Sequence, residues 1–505
     1  MASSITETRP TSGISLRLLA VALLGALAVM QGLLWAFLGL PLWWIAAGGL
    51  GFGFALWGVW QAPGARDTVP WPALVVGWAV ALVVLLLGGE GRLFFAPTDW
   101  QVRYAVLRDL TEHPWPFILA HPQGPLILRA PLGMYLPPAA IGKLGGGFHA
   151  AEMALLVQNT LLLGAILAMG AGLFVTARQR WIGLGAFWAF SGMDVIGQII
   201  AHKPLALHLE AWAGMQFSSH VVQILWAPQH AMAGWIFAVF YLLWRMDRMP
   251  HLVLFAVLPL LALYSPLALI GCVPFAAHAF WVAVAGRTLQ VTDVLWPTLL
   301  GLLCLPSLLY LAINSGDVGG GAVHTYFLSG YPLFILIEIG GYLMALWALR
   351  KDQPFGIVAT GIVVVVLLAV PFGQIGDGVD FVMRVSIPAL AMMAVMMGRI
   401  LGDATPTSAR REARRWVLIV GAIGLVTPAS EVWRGLTWPV SPEVTCGYLG
   451  VIPKGYSTYT VPVDRMPALL RAARPNIVPL APQHPCWAVP WRDPLTGRAT
   501  LTHPY

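Results

Sequence analysis

The sequence predicts an all-α polytopic membrane protein with about thirteen transmembrane helices and a small exoplasmic C-terminal domain. Three observations predict it. Of 505 residues, 58% are hydrophobic and only 10% are charged, at a mean hydropathy of +0.76, whereas soluble domains are roughly 25% charged. Apolar runs of about 20 residues, each long enough to cross the hydrocarbon layer as a helix, recur along the chain. Basic residues cluster in alternate short loops, as positive-inside bias requires.

In order, spans begin near Ser15, Pro41 and Trp71, then near Ala150, Trp181, Ala231, His251, Ala268, Thr292, Tyr331, Phe355, Phe381 and Trp416. Pro131 to His149, broken by Pro137, Pro138 and glycines, is too short for a span and reads as an interfacial half-helix. The first apolar run lacks a small-residue cleavage site and reads as a retained helix, not a signal peptide. With the N-terminus cytoplasmic, Arg178, Arg180, Arg245, Arg248, Arg287, Arg350, Lys351, Arg399, Arg410, Arg411, Arg414 and Arg415 all fall inside. Topology thus accounts for the formal charge of +7, and nucleic-acid binding is set aside.

This layout divides the chain into a three-helix membrane segment (1–88), a first large periplasmic loop (89–149), a transmembrane core (150–432) and a periplasmic tail (433–505). The tail is Pro-rich and polar, with "DRMPALLRAARP" expected as a short helix. Cys446 and Cys486 lie in it, while Cys272 and Cys304 lie within apolar runs. An oxidising compartment permits a tail disulfide, but spacing alone leaves open whether the two meet.

The scarce charge is concentrated in "APTDWQVRYAVLRDLTEHPWP". Thr98 with Gln101 fits a capping box, with Asp99 a first-turn acid and Arg103 its partner four residues on. That arrangement suits an ordinary surface pair as well as a catalytic acid. The same D-x-x-x-R spacing returns at Asp380 and Arg384, where an outer loop enters an apolar run. An arginine at membrane depth is expensive unless it is paired or faces a wet cavity. Between them, "AHKPLALHLEAWAGMQFSSHVVQILWAPQHAMAGW" supplies Lys203, His208, Glu210, His220 and His230 among interfacial tryptophans, suited to an amphipathic ligand with its phosphate at the surface. Asp194 is a further acid within an apolar run, suited to a polar network. No metal-ligand spacing stands out, which leaves any metal unknown. The glycine-rich "GDVGGGAVHTY" follows no strand and is not a P-loop; it reads as an outer loop able to close over a site. G-x-S-x-G and H-E-x-x-H are absent.

The first-loop acid in "TDWQVRYAVLRDL", followed by the Pro-rich "GMYLPPAAIGKLGG" opening onto a long span, resembles the GT-C superfamily of membrane glycosyltransferases. "FSGMD", "WAPQHAMAGW" and "DFVMRVSIPAL" are similar to a poorly characterised bacterial group related to it. The resemblance, over about Gly89 to Leu401, implies sugar transfer from a polyprenyl-phosphate donor on the periplasmic face of the bacterial inner membrane. It would make Asp99 the base. Arg103, Lys203, Glu210, His230, Asp380 and Arg384 would then be substrate-binding. It admits a divalent metal as cofactor, although no D-x-D or E-x-D surrounds Asp99. Membrane lipids are the other expected partners. The rival reading is a transporter or flippase of a lipid-linked or amphipathic substrate, which ought to spread polar residues through both membrane halves, often in repeated units.

Overall fold

The computed structural model describes residues 13–62, 67–205, 208–318, 320–322, 327–376, 379–454, 459–479 and 486–487. Parts of the glycine-rich 316–326 stretch and most of the chain beyond 479 lie outside the described residues, as does the expected cytoplasmic segment before Gly13.

Helices dominate because apolar runs in lipid must satisfy their own backbone. Among the described residues seven helices are long and apolar enough to cross a membrane: Leu16–Phe37, Leu42–Gln61, Gly147–Ala171, Ala177–Ile200, Pro266–Ala285, Gly330–Leu349 and Ser408–Thr437. An eighth counts if Val291–Leu303 and Leu305–Ala312, bent by 53°, form one span. Trp71–Leu87, His251–Leu261, Ile357–Phe372 and Ile387–Gly402 are shorter apolar helices. Pro228–Arg245 is buried on every side from Pro228 to Trp244, as a helix apolar all round must be.

Several helices are interrupted where the site needs it. The expected span from Phe381 breaks at Ser386, so Arg384 belongs to a short helix, Asp380–Val385, ahead of Ile387–Gly402. Its end presses on the Pro266–Ala285 helix at Gly271, where a β-carbon would lie 2.1 Å from the Val385 carbonyl. The half-helix is present as Leu136–Leu144. The tail helix is not: Pro467 interrupts it, leaving 3-10 turns at Val463–Arg465 and Ala468–Leu470.

The first loop and the tail form one module. A four-stranded sheet runs in the order Thr460–Pro462, Leu126–Leu128, Phe117–Leu119, Asn476–Val478, so tail strands flank a first-loop hairpin. Leu126–Leu128 pairs antiparallel with Thr460–Pro462, and Phe117–Leu119 parallel with Asn476–Val478. Side chains reinforce the join. Arg108 donates to the Val444 carbonyl at 2.9 Å and pairs with Glu443 at 2.8 Å. Asp109 accepts from the Tyr448 amide at 2.7 Å. Cys446 and Cys486 are disulfide-bonded with Cα atoms 5.0 Å apart. Much of the first-loop charge therefore fastens the tail.

Candidate functional site

Asp99 opens the Asp99–Glu112 helix, but the capping box is not made. Thr98 has helical dihedrals and its hydroxyl caps nothing, which leaves Asp99 to face the module's charged cluster. Arg103, one turn on and 2% exposed, reaches the Asp99 carboxylate at 3.5 Å. Its Nη1 donates to the Tyr135 hydroxyl at 3.1 Å.

The second D-x-x-x-R pair arrives from far along the chain. Arg384 Nη2 lies 2.9 Å from Asp380 Oδ1, with both side chains partly open. The two pairs share one electrostatic neighbourhood. Asp99 is lifted above the usual carboxylate range, chiefly by desolvation, with Asp380 adding to the rise and Arg103 and Arg384 opposing it. A third of its side chain is nevertheless exposed (35%), so the acid is both shifted and reachable. Tyr459, from the tail, lies among all four charges, and burial raises its phenol pKa. The Tyr135 phenol is pushed to about 12, again chiefly by burial.

Two buried groups back this cluster. His230, on the fully buried helix, feels both Arg103 and Arg384. Its Nδ1 is hydrogen-bonded to Ser265 at 2.7 Å. Glu90, 1% exposed, accepts from Asn159 Nδ2 at 2.9 Å and lies within electrostatic reach of Arg103. Burial drives its pKa to about 8, so at neutral pH Glu90 is mostly a neutral acid and leaves the Arg103 charge uncompensated from that side.

Two expected site residues lie elsewhere. Lys203 is exposed and donates to the Ala211 carbonyl at 2.6 Å. Glu210 is fully buried in a separate network, accepting from the Ser219 amide and from Gln216, each at 2.7 Å. Next to it, His208 lies 3.1 Å from Glu431, which pairs with Arg434 at 3.2 Å. Burial with nearby Asp194 raises Glu210 to about 7. This network fastens the segment around 208–219 to the Ser408–Thr437 helix. The expected membrane topology puts Lys203 and Glu210 on the same side as Arg384, but sharing a side of the membrane does not place a residue at a site. In the other direction, sequence reasoning passed over Tyr135, although "GMYLPP" was singled out, and passed over Glu90 and Tyr459. No motif marks those two.

Among the described residues no three of His, Cys, Asp and Glu group so as to hold a metal ion. Compared with family models, with characterised proteins and with solved structures, the chain matches none. Function is therefore argued from the site alone. What it offers is a reachable acid of raised pKa beside two arginines, lined by two tyrosines and a buried histidine. Such a set can take a proton while cations hold a leaving oxyanion.

Proposed function

We propose that the chain is an inner-membrane glycosyltransferase using a polyprenyl-phosphate-linked sugar at its periplasmic face, in the GT-C manner. On this reading the bent pair, the four shorter helices and Pro228–Arg245 cross the membrane along with the seven long spans, thirteen crossings in all. Thirteen puts the two ends of the chain on opposite sides. The basic loops would orient the N-terminus to the cytoplasm and the shared module to the periplasm.

The observation that carries the reading is the convergence of two distant D-x-x-x-R pairs, Asp99–Arg103 and Asp380–Arg384, around Tyr459. Asp99 takes the acceptor hydroxyl proton as that oxygen attacks the anomeric carbon. The bond from that carbon to the phosphate oxygen breaks, and its electron pair leaves with the phosphate. Arg384 and Arg103 hold the departing charge, Asp380 orients Arg384, and His230 supports the cluster from below. Lys203 and Glu210 have no part in it.

The test is transfer of label from a polyprenyl-phosphate sugar pool to acceptors in membranes. Asp99→Asn should lower transfer about 10²- to 10⁴-fold, the range for general-base catalysis, at unchanged protein level. Equal transfer by both proteins removes Asp99 as the base. One observation favours transport instead: Asp194 and Glu338, both buried within apolar helices, lie close enough to share a hydrogen bond. Buried acids of this kind mark ion pathways. Uptake abolished by Asp194→Asn, with sugar transfer absent, would decide for it.

A further inference from the structure

Arg129 follows directly on the Leu126–Leu128 strand, and its amide donates to the Tyr459 carbonyl at 2.6 Å. Its side chain is 8% exposed. Among the described residues neither Nε nor Nη2 finds a hydrogen-bond partner, and both atoms are closed to solvent. Among the described residues, only Arg129 has both of these nitrogens in that condition. Burial disfavours its charge, and no carboxylate offsets this; only Tyr310 acts favourably on it. The Tyr310 hydroxyl is itself engaged, donating to the Leu128 carbonyl at 2.8 Å and accepting from the Ala130 amide at 3.2 Å.

Other arginines of this chain show what a structural guanidinium looks like. Arg245 donates from Nε to the Phe355 carbonyl at 3.2 Å, and Arg399 from Nη1 to the Leu173 carbonyl at 2.7 Å. Leaving a buried, charged donor unsatisfied is among the more expensive things a fold can do. The two free N–H groups of Arg129 lie on one edge of the guanidinium and point in parallel. That edge grips two oxygens of a phosphate or carboxylate side-on.

We propose that Arg129 is an oxyanion-binding residue, taking a phosphate or carboxylate bidentately on its Nε and Nη2 edge. It adjoins the candidate site through Tyr459, whose carbonyl holds the Arg129 backbone while its ring lies among Asp99, Arg103, Asp380 and Arg384. The binding itself does not depend on the transferase reading; only the source of the oxyanion does. On that reading the source is either the second phosphate of a diphosphate-linked donor or an anionic group on the acceptor.

The experiment uses the full chain in phosphatidylcholine nanodiscs, with inorganic phosphate as the probe and calorimetry as the readout. The wild type should bind phosphate at two sites. Arg384→Gln should remove one and Arg129→Gln the other, while Arg129→Lys, which keeps the charge but loses the fork, should weaken its site at least tenfold. Displacement of phosphate from the Arg129 site by polyprenyl diphosphate but not by polyprenyl monophosphate assigns it to the donor. Displacement by neither assigns it to the acceptor. Wild-type stoichiometry and affinity in Arg129→Gln overturns the proposal. So does wild-type affinity in Arg129→Lys, which decides the matter should Arg129→Gln fail to fold. An inactive Asp99→Asn that still binds phosphate at Arg129, or an active one in which that site is absent, separates this inference from the fate of the transferase reading.

Discussion

Replacing Glu90 with Gln should make the protein's stability much less dependent on pH between 5 and 8. Glu90 is buried at 1% exposure against Asn159, and its pKa is raised from 4.5 to about 8. In the unfolded chain it loses its proton near the ordinary value, so within this window the native state holds a proton that the unfolded state has released. The stabilising difference is full below about pH 4.5 and is lost as pH rises through the folded value near 8. At 1.36 kcal/mol per unit, the full swing is about 5 kcal/mol, and the part between pH 6 and 8 is about 2 to 3 kcal/mol. Gln keeps an oxygen for Asn159 and cannot ionise. Unfolding should be measured in mixed micelles titrated with a denaturing detergent, and the difference between the two proteins taken at each pH so that other titrating groups cancel. The Glu90→Gln advantage should grow steadily from pH 5 to 8 and level off above. A difference that stays constant over that range refutes the protonated buried acid, and with it the uncompensated Arg103 charge.

Cys446 and Cys486 should resist alkylation in native protein until reductant is added; free labelling before reduction removes the disulfide. Closing a 40-residue separation is worth about 4 kcal/mol in the chain-entropy account, so Cys486→Ser should loosen the module, seen as faster proteolysis of the tail with the apolar helices left protected. Lys203→Gln should leave sugar transfer within about twofold of wild type, since its exposed ammonium donates to the Ala211 carbonyl and exposed single interactions contribute little. A loss of tenfold or more would return Lys203 to the site.

Helix existence was legible because an apolar run of about 20 residues has few alternatives in lipid. The breaks were not. In "DFVMRVSIPAL" only Pro388 hints at the stop at Ser386, since it has no N–H to give the Arg384 carbonyl; the close packing of Val385 on Gly271 leaves no mark in the sequence. Both D-x-x-x-R pairs were visible as helical neighbours, whereas their meeting depends on how the Asp99–Glu112 helix and the Asp380–Val385 helix are brought to one place. Tyr459 was invisible for the same reason. It becomes a site residue only through pairing of the Thr460–Pro462 strand with Leu126–Leu128. Glu90 carried an ordinary local signal, a short polar turn after an apolar helix, and its significance comes from burial against Asn159 on a helix that sequence places far away.

The interleaved sheet also imposes an order of assembly. Its two central strands are made early and its two flanking strands almost last. A chain that stopped after Thr437 would carry every apolar helix and both D-x-x-x-R pairs, yet it would lack Tyr459 and the strand that positions Arg129. On the proposed reading, competence then waits for the tail strands, and a growing or clipped chain without them can occupy the bilayer without being able to act in it.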